Sequence, residues 1–176
     1  MISISFETLA AVKKHCKNLE TFEVFVDNIF TFKTSSTLDQ VIAESANSEW
    51  ASLKSLKLGG LIPTGSIIKY LVSGCSQLRV LCVSPYEPQA ELITDQLVEK
   101  MLEINPCKTL VAFYFEKCLL SEQTFFLLLN SLPQMRHVGI LGEWFGLDRR
   151  ARLAIKAFVR GNNVDVDIDS ANVYDS

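Results

Sequence analysis

Apolar positions recur along this chain in one short frame. Cys75-Ser76-Gln77-Leu78-Arg79-Val80-Leu81-Cys82-Val83 reads C-x-x-L-x-x-L-x-φ, where φ is any apolar residue. The frame returns as Cys16, Leu19, Phe22, Val24 and as Cys107, Leu110, Phe113, Phe115. Two further copies keep the apolar positions without the cysteine: Leu53, Leu56, Leu58 and Met135, Val138, Ile140. The leading apolar residues stand at 19, 53, 78, 110 and 135, in steps of 34, 25, 32 and 25 residues. Self-similarity at this period is the pattern of stacked repeats.

Between the frames the pattern turns helical. Leu9, Val12 and Cys16 fall at three- and four-residue steps and predict a helix from Phe6 to about Asn18. The frame itself predicts strands at Leu19–Val26, Leu53–Leu58, Leu78–Val83, Leu110–Phe115 and Met135–Leu141. Residues 27–36 make a longer connection of unassigned role. Thr37-Leu38-Asp39-Gln40 resembles a capping box for a helix over 38–48, with Trp50 near its end. The run from Gly59 to Gly65 breaks the second strand, and Ser66 caps a helix that buries Ile67, Ile68, Leu71 and Val72. Pro85 and Pro88 keep the next loop extended. Thr94, Ser121 and Asp148 cap three later helices. The last of these buries Ala151, Ala154, Ile155, Phe158 and Val159 and stops at Gly161-Asn162-Asn163. Val164, Val166 and Ile168 alternate with Asp165, Asp167 and Asp169 as a half-exposed terminal strand.

Strands joined by helices are parallel. The rival is a doubly wound sheet, whose strands are apolar on both faces. The recurring frame, and the cysteine three residues ahead of it, favour a repeat instead. The expected organisation is one domain over residues 1–169, of about six irregular repeats, and a loose polar tail over 170–176.

Composition narrows the role. Hydrophobic residues make up 48% of 176, which is ample for a core. The net charge of −3 argues against general nucleic-acid binding, which needs a basic surface. The five cysteines form no Cys-x-x-Cys pair, and three hold one fixed place in the repeat, so packing explains them better than a zinc site or a disulfide framework. Cys16, Cys75 and Cys107 are expected buried and reduced at helix-to-strand corners. Free thiols fit a reducing compartment. The N-terminus lacks the pattern of a signal peptide, and no apolar run reaches the ~20 residues of a membrane span. The expectation is a cytoplasmic or nuclear protein without membrane contact.

The cysteine-bearing frame with its preceding amphipathic helix resembles the leucine-rich repeats of F-box proteins, over Phe6 to Ile168. The resemblance implies an α/β leucine-rich-repeat solenoid: a curved parallel sheet on the concave side, helices on the convex side. It also implies a role, in which the repeats hold a substrate protein for a ubiquitin ligase while an F-box grips the Skp adaptor. The first repeat begins within a few residues of Met1 and leaves no room for an F-box. The chain is therefore expected to be either a piece of a longer F-box protein, or a stand-alone scaffold or inhibitor. The family's repeats carry no catalytic residue, and none is expected here.

By period-two alternation the third, fifth and seventh frame positions point to the concave face. Position three runs Thr21, Ser55, Val80, Ala112, His137, Asp165, and position five runs Glu23, Lys57, Cys82, Tyr114, Gly139, Asp167. Tyr114 is the expected anchor, its ring prominent between the small Cys82 and Gly139. Lys57, Arg79, His137, Glu116 and Asp167 supply polar groups around it. No cofactor or metal is expected. Gly60–Ser66 resembles a phosphate loop only faintly, because Ser66-Ile67 stands where Lys is required. A small nucleotide-binding enzyme is thus the weakest reading. Cys82 beside Arg79 is the best placed thiol for nucleophilic chemistry, with nothing further in its favour. Arg149, Arg150, Arg152, Lys156 and Arg160 make the last helix basic.

Overall fold

The computed structural model describes residues 6–26, 50–60, 65–86 and 93–169. The expected connection over 27–36, the helix over 38–48, Pro88 and the tail over 170–176 lie outside them. In chain order the elements are α1 (Phe6–His15), β1 (Thr21–Val26), β2 (Ser55–Gly60), α2 (Gly65–Val72), β3 (Val80–Pro85), α3 (Asp95–Ile104), β4 (Ala112–Phe115), α4 (Glu122–Ser131), β5 (His137–Val138), α5 (Arg149–Gly161) and β6 (Asp167–Ile168). The six strands form one parallel sheet in the order β1-β2-β3-β4-β5-β6. Each strand pairs with its neighbour in sequence, without the order reversal of a doubly wound sheet.

The same corner opens five of the strands. The N–H of the leading frame residue donates to the carbonyl three residues back: Leu19 to Cys16, Leu53 to Trp50, Leu78 to Cys75, Leu110 to Cys107 and Met135 to Leu132, at 2.8–3.3 Å. Trp50 and Leu132 therefore occupy the cysteine place in the copies that lack one. The next carbonyl then accepts two N–H groups from the following repeat. Glu20 takes Lys54 and Ser55, Lys54 takes Arg79 and Val80, Arg79 takes Val111 and Ala112, and Val111 takes Arg136 and His137. This ladder locks the register at strand entry.

Most residues at frame positions one, four and six are buried with the helices in one core, including Leu53, Leu56, Leu58, Leu78, Leu81, Val83, Leu110, Phe113 and Phe115, while Leu19, Phe22 and Ile140 are only partly buried. Helices α2, α3, α4 and α5 lie as successive neighbours. Cys82, Ala112 and Tyr114 form a separate small cluster with Val80 on the other face.

Several local expectations are corrected. Cys16 is exposed, while Cys75, Cys107 and Cys118 are buried, and all five cysteines are free. Its place in the α1 stripe is taken by Lys13, which is fully buried. β2 runs on through Gly59 and Gly60 instead of breaking there. The helix expected from Ser66 starts at Gly65. Thr94 occupies the N-cap of α3 without a side-chain cap bond. Ser121 and Asp148 cap as expected, accepting from Gln123 and Ala151. Ala154 and Phe158 are exposed on α5, where Ile155 and Val159 carry the burial. β5 is cut short because Leu141–Glu143 wind into a 3-10 turn that brings Trp144 Nε1 to Phe115 O at 2.9 Å.

Candidate functional site

The face away from the helices is built from three rows set by the register. Thr21, Ser55, Val80, Ala112 and His137 align in the first, and the sixth member is Asp167 rather than Asp165. The chain turns tightly at Val164–Val166, where the Val166 N–H donates to Val164 O at 2.8 Å, and this consumes two residues. A two-residue slip keeps every side chain on its face. Asp167 consequently faces His137 at 3.9 Å instead of lying level with Gly139.

The second row holds Glu23, Lys57, Cys82 and Tyr114. Tyr114 is on the expected face, but its ring is not prominent. It is 6% exposed and lies against Gly139, where an added Cβ would stand 3.0 Å from its Cδ1. Small neighbours let the ring fold down into the gap they leave. Lys57 faces Glu23 at 4.0 Å. The third row holds Phe25, Gly59 and Ser84, and the Ser84 hydroxyl donates to Glu116 at 2.5 Å. Arg79 stands outside these rows, in the exposed file at strand entry whose first members, Glu20 and Lys54, are paired at 3.0 Å.

The most exposed aromatic of the face is Phe25, at 60%. Its ring covers Gly59 so closely that a Cβ there would come within 2.5 Å of it. Tyr86 meets it at nearly a right angle, with ring centroids 6.0 Å apart. Beside them a shallow cleft of about 100 Å³ is lined by Glu23, Phe25, Lys57, Gly59, Cys82 and Ser84, among others. The structure therefore brings together Lys57, Cys82, Tyr114 and Glu116 of the expected residues. It puts His137 and Asp167 at the far end of the first row and Arg79 outside. Sequence reasoning passed over Phe25 and Tyr86 as an anchor. Phe25 was legible as position seven opposite a glycine; nothing in the pattern pairs it with Tyr86.

Among the described residues no cluster of His, Cys, Asp and Glu could hold a metal ion, and no helix is long and apolar enough to cross a membrane. No family model, curated protein or solved structure matches the chain.

Proposed function

We propose that the chain is a protein-binding module of leucine-rich-repeat type, which receives its partner on the open sheet face. Following the resemblance of the cysteine-bearing frame, its role is substrate recognition for an F-box-type ubiquitin ligase. The observation that carries the reading is Phe25: a large apolar ring, exposed beside a mainly apolar cleft that Glu23, Lys57 and Ser84 help to line, on the face that no described helix covers. Exposed aromatics ringed by polar groups are the usual anchors of an interface. The recurring corner and the sequential parallel order support the repeat architecture, whose open faces serve as extended binding surfaces.

Gly59→Ala tests it. The new methyl displaces the Phe25 ring, which is free to swing towards solvent, so the fold is retained. Proteins cross-linked to the chain in cells should be lost in Gly59→Ala and in Lys57→Glu, with melting temperatures unchanged. Retention of the same partners by both variants refutes the open face as the site. Co-purification of a Skp adaptor with the natural full-length protein supports the ligase role. Partner capture without the adaptor leaves a stand-alone scaffold or inhibitor.

A further inference from the structure

We propose that α5 carries a second docking surface, one that takes an acidic amphipathic helix of a partner protein. The proposal does not depend on the open face. At 3.6 residues per turn, Leu153, Ala154 and Ala157 fall opposite Ile155 and Val159, which α5 buries in the core. Leu153 is 58% exposed, and Phe158, whose ring also packs on Phe126 of α4 with centroids 5.1 Å apart, is 37% exposed. The outward face of α5 is thus an apolar strip, where a solvated helix would be polar.

Cations border that strip on the side away from α4. Arg149, Lys156 and Arg160 lie a quarter turn from it, and Arg150 stands at its start. Lys156 is held by Asp169, and Arg152 Nε donates to Asp148 O. Arg149, Arg150 and Arg160 are exposed and take part in no ion pair among the described residues. α5 itself contains no acidic residue. Arg149 and Arg160 are about 16 Å apart along the axis at 1.5 Å per residue.

Charge complementarity selects the occupant. A second copy docking α5 on α5 would set arginines against arginines, and like charges across an interface are costly. A membrane surface would need deep apolar insertion, which scales with buried apolar area. This strip offers one projecting leucine and part of one phenylalanine, separated by alanines. Small residues at the crossing suit the close approach of another helix. The matching ligand has an apolar stripe at helical spacing and Asp or Glu about three turns apart along one border, a helix laid along an apolar surface.

A selection from a helix-constrained peptide library against the intact folded chain tests this, with affinities of the selected peptides read by fluorescence anisotropy. The expected winners carry that stripe and those acids, and bind more weakly as salt rises. Leu153→Asp, or Arg149→Glu with Arg160→Glu, should weaken them at least about tenfold. Peptides with the acids changed to lysine should regain binding to the Arg149→Glu, Arg160→Glu chain. Gly59→Ala should change nothing, which separates this surface from the open face. Arg149, Leu153 and Arg160 are exposed, and an unchanged circular dichroism melt verifies folding of every variant. Winners without acids, winners indifferent to the α5 substitutions, or no winners at all overturn the proposal. Sedimentation with phosphatidylserine vesicles that is lost in the same variants also overturns it, in favour of a membrane surface.

Discussion

Lys13 puts an amine where the α1 stripe would be expected to hold an apolar group. It donates to Tyr70 O, to Ser73 O at 2.6 Å and to Ser73 Oγ at 2.9 Å, and lies 4.4 Å from the Tyr70 ring centre. A cation suits these carbonyls at the end of α2. Burial nevertheless lowers the amine from 10.5 to about 8, with Cys75 opposing the shift. Burial raises Cys75 to about 11, and Cys107 and Cys118 to about 12, from 9.0. Above pH 8 the folded chain releases the Lys13 proton while the unfolded chain holds it until 10.5, so stability rises. Above pH 9 unfolded thiols ionise while the three buried ones keep their protons, so stability falls, three protons outweighing one. Urea unfolding across pH 7.5–11 should show a maximum near pH 9, and Lys13→Met should lack the rising limb. A wild-type profile that only falls from pH 8 contradicts a buried ammonium. The placed cysteines differ from one another as well. Cys75 Sγ donates to Leu71 O at 3.0 Å, an acceptor that a serine hydroxyl inherits; no such bond is formed by Cys107 among the described residues. Cys107→Ser should cost about 1–3 kcal/mol and Cys75→Ser less, measured by chemical denaturation. The sequence pattern made burial at 75 and 107 legible. It did not make the exposure of Cys16 legible, because a stripe of apolar residues does not say where the helix ends.

Between elements, the helices are joined by polar links as well as by packing. Asp95, in the first turn of α3, accepts from Ser121 N at 2.8 Å, Ser121 Oγ at 2.7 Å and Thr124 Oγ1 at 2.5 Å. One carboxylate therefore satisfies the start of α4 from the neighbouring helix. Asn105 works similarly at the other end of α3, donating to Val72 O at 2.9 Å and Cys75 O at 3.1 Å while accepting from Cys107 N. Asp95→Ala strands three donors at once, one on the buried Thr124, and should cost about 2–3 kcal/mol in urea melts. Asp95→Asn should cost less, since an amide oxygen still accepts. A loss below 0.5 kcal/mol for Asp95→Ala would mean that water replaces the carboxylate (about the scale of an ordinary surface change). Cap identities at Ser121 and Asp148 were legible because a cap is local in sequence. The Asp95 link was not, because its partners lie 26 and 29 residues away.

For the molecule as a whole, the parallel strands, their order and most of the register follow from the spacing of the frame. Faces could be assigned because alternation is insensitive to a slip of two, and the β6 slip was invisible for the same reason. The site was legible as a face and not as a contact set. Which ring covers which glycine depends on side chains meeting across strands more than 30 residues apart, as Phe25 and Gly59 do. The corner carbonyls that hand each strand to the next also set how the described sheet bears load. Every strand of the described sheet pairs with its sequence neighbours alone, so tension applied at the two termini meets the strand pairings one at a time, apart from the Lys13 link between α1 and the end of α2. An optical trap should see the sheet peel strand by strand from an edge. Each drop should release one repeat of 25–34 residues, or roughly 80–120 Å of chain. A single all-or-none rip would show that the repeats share their strength instead of passing it along the row.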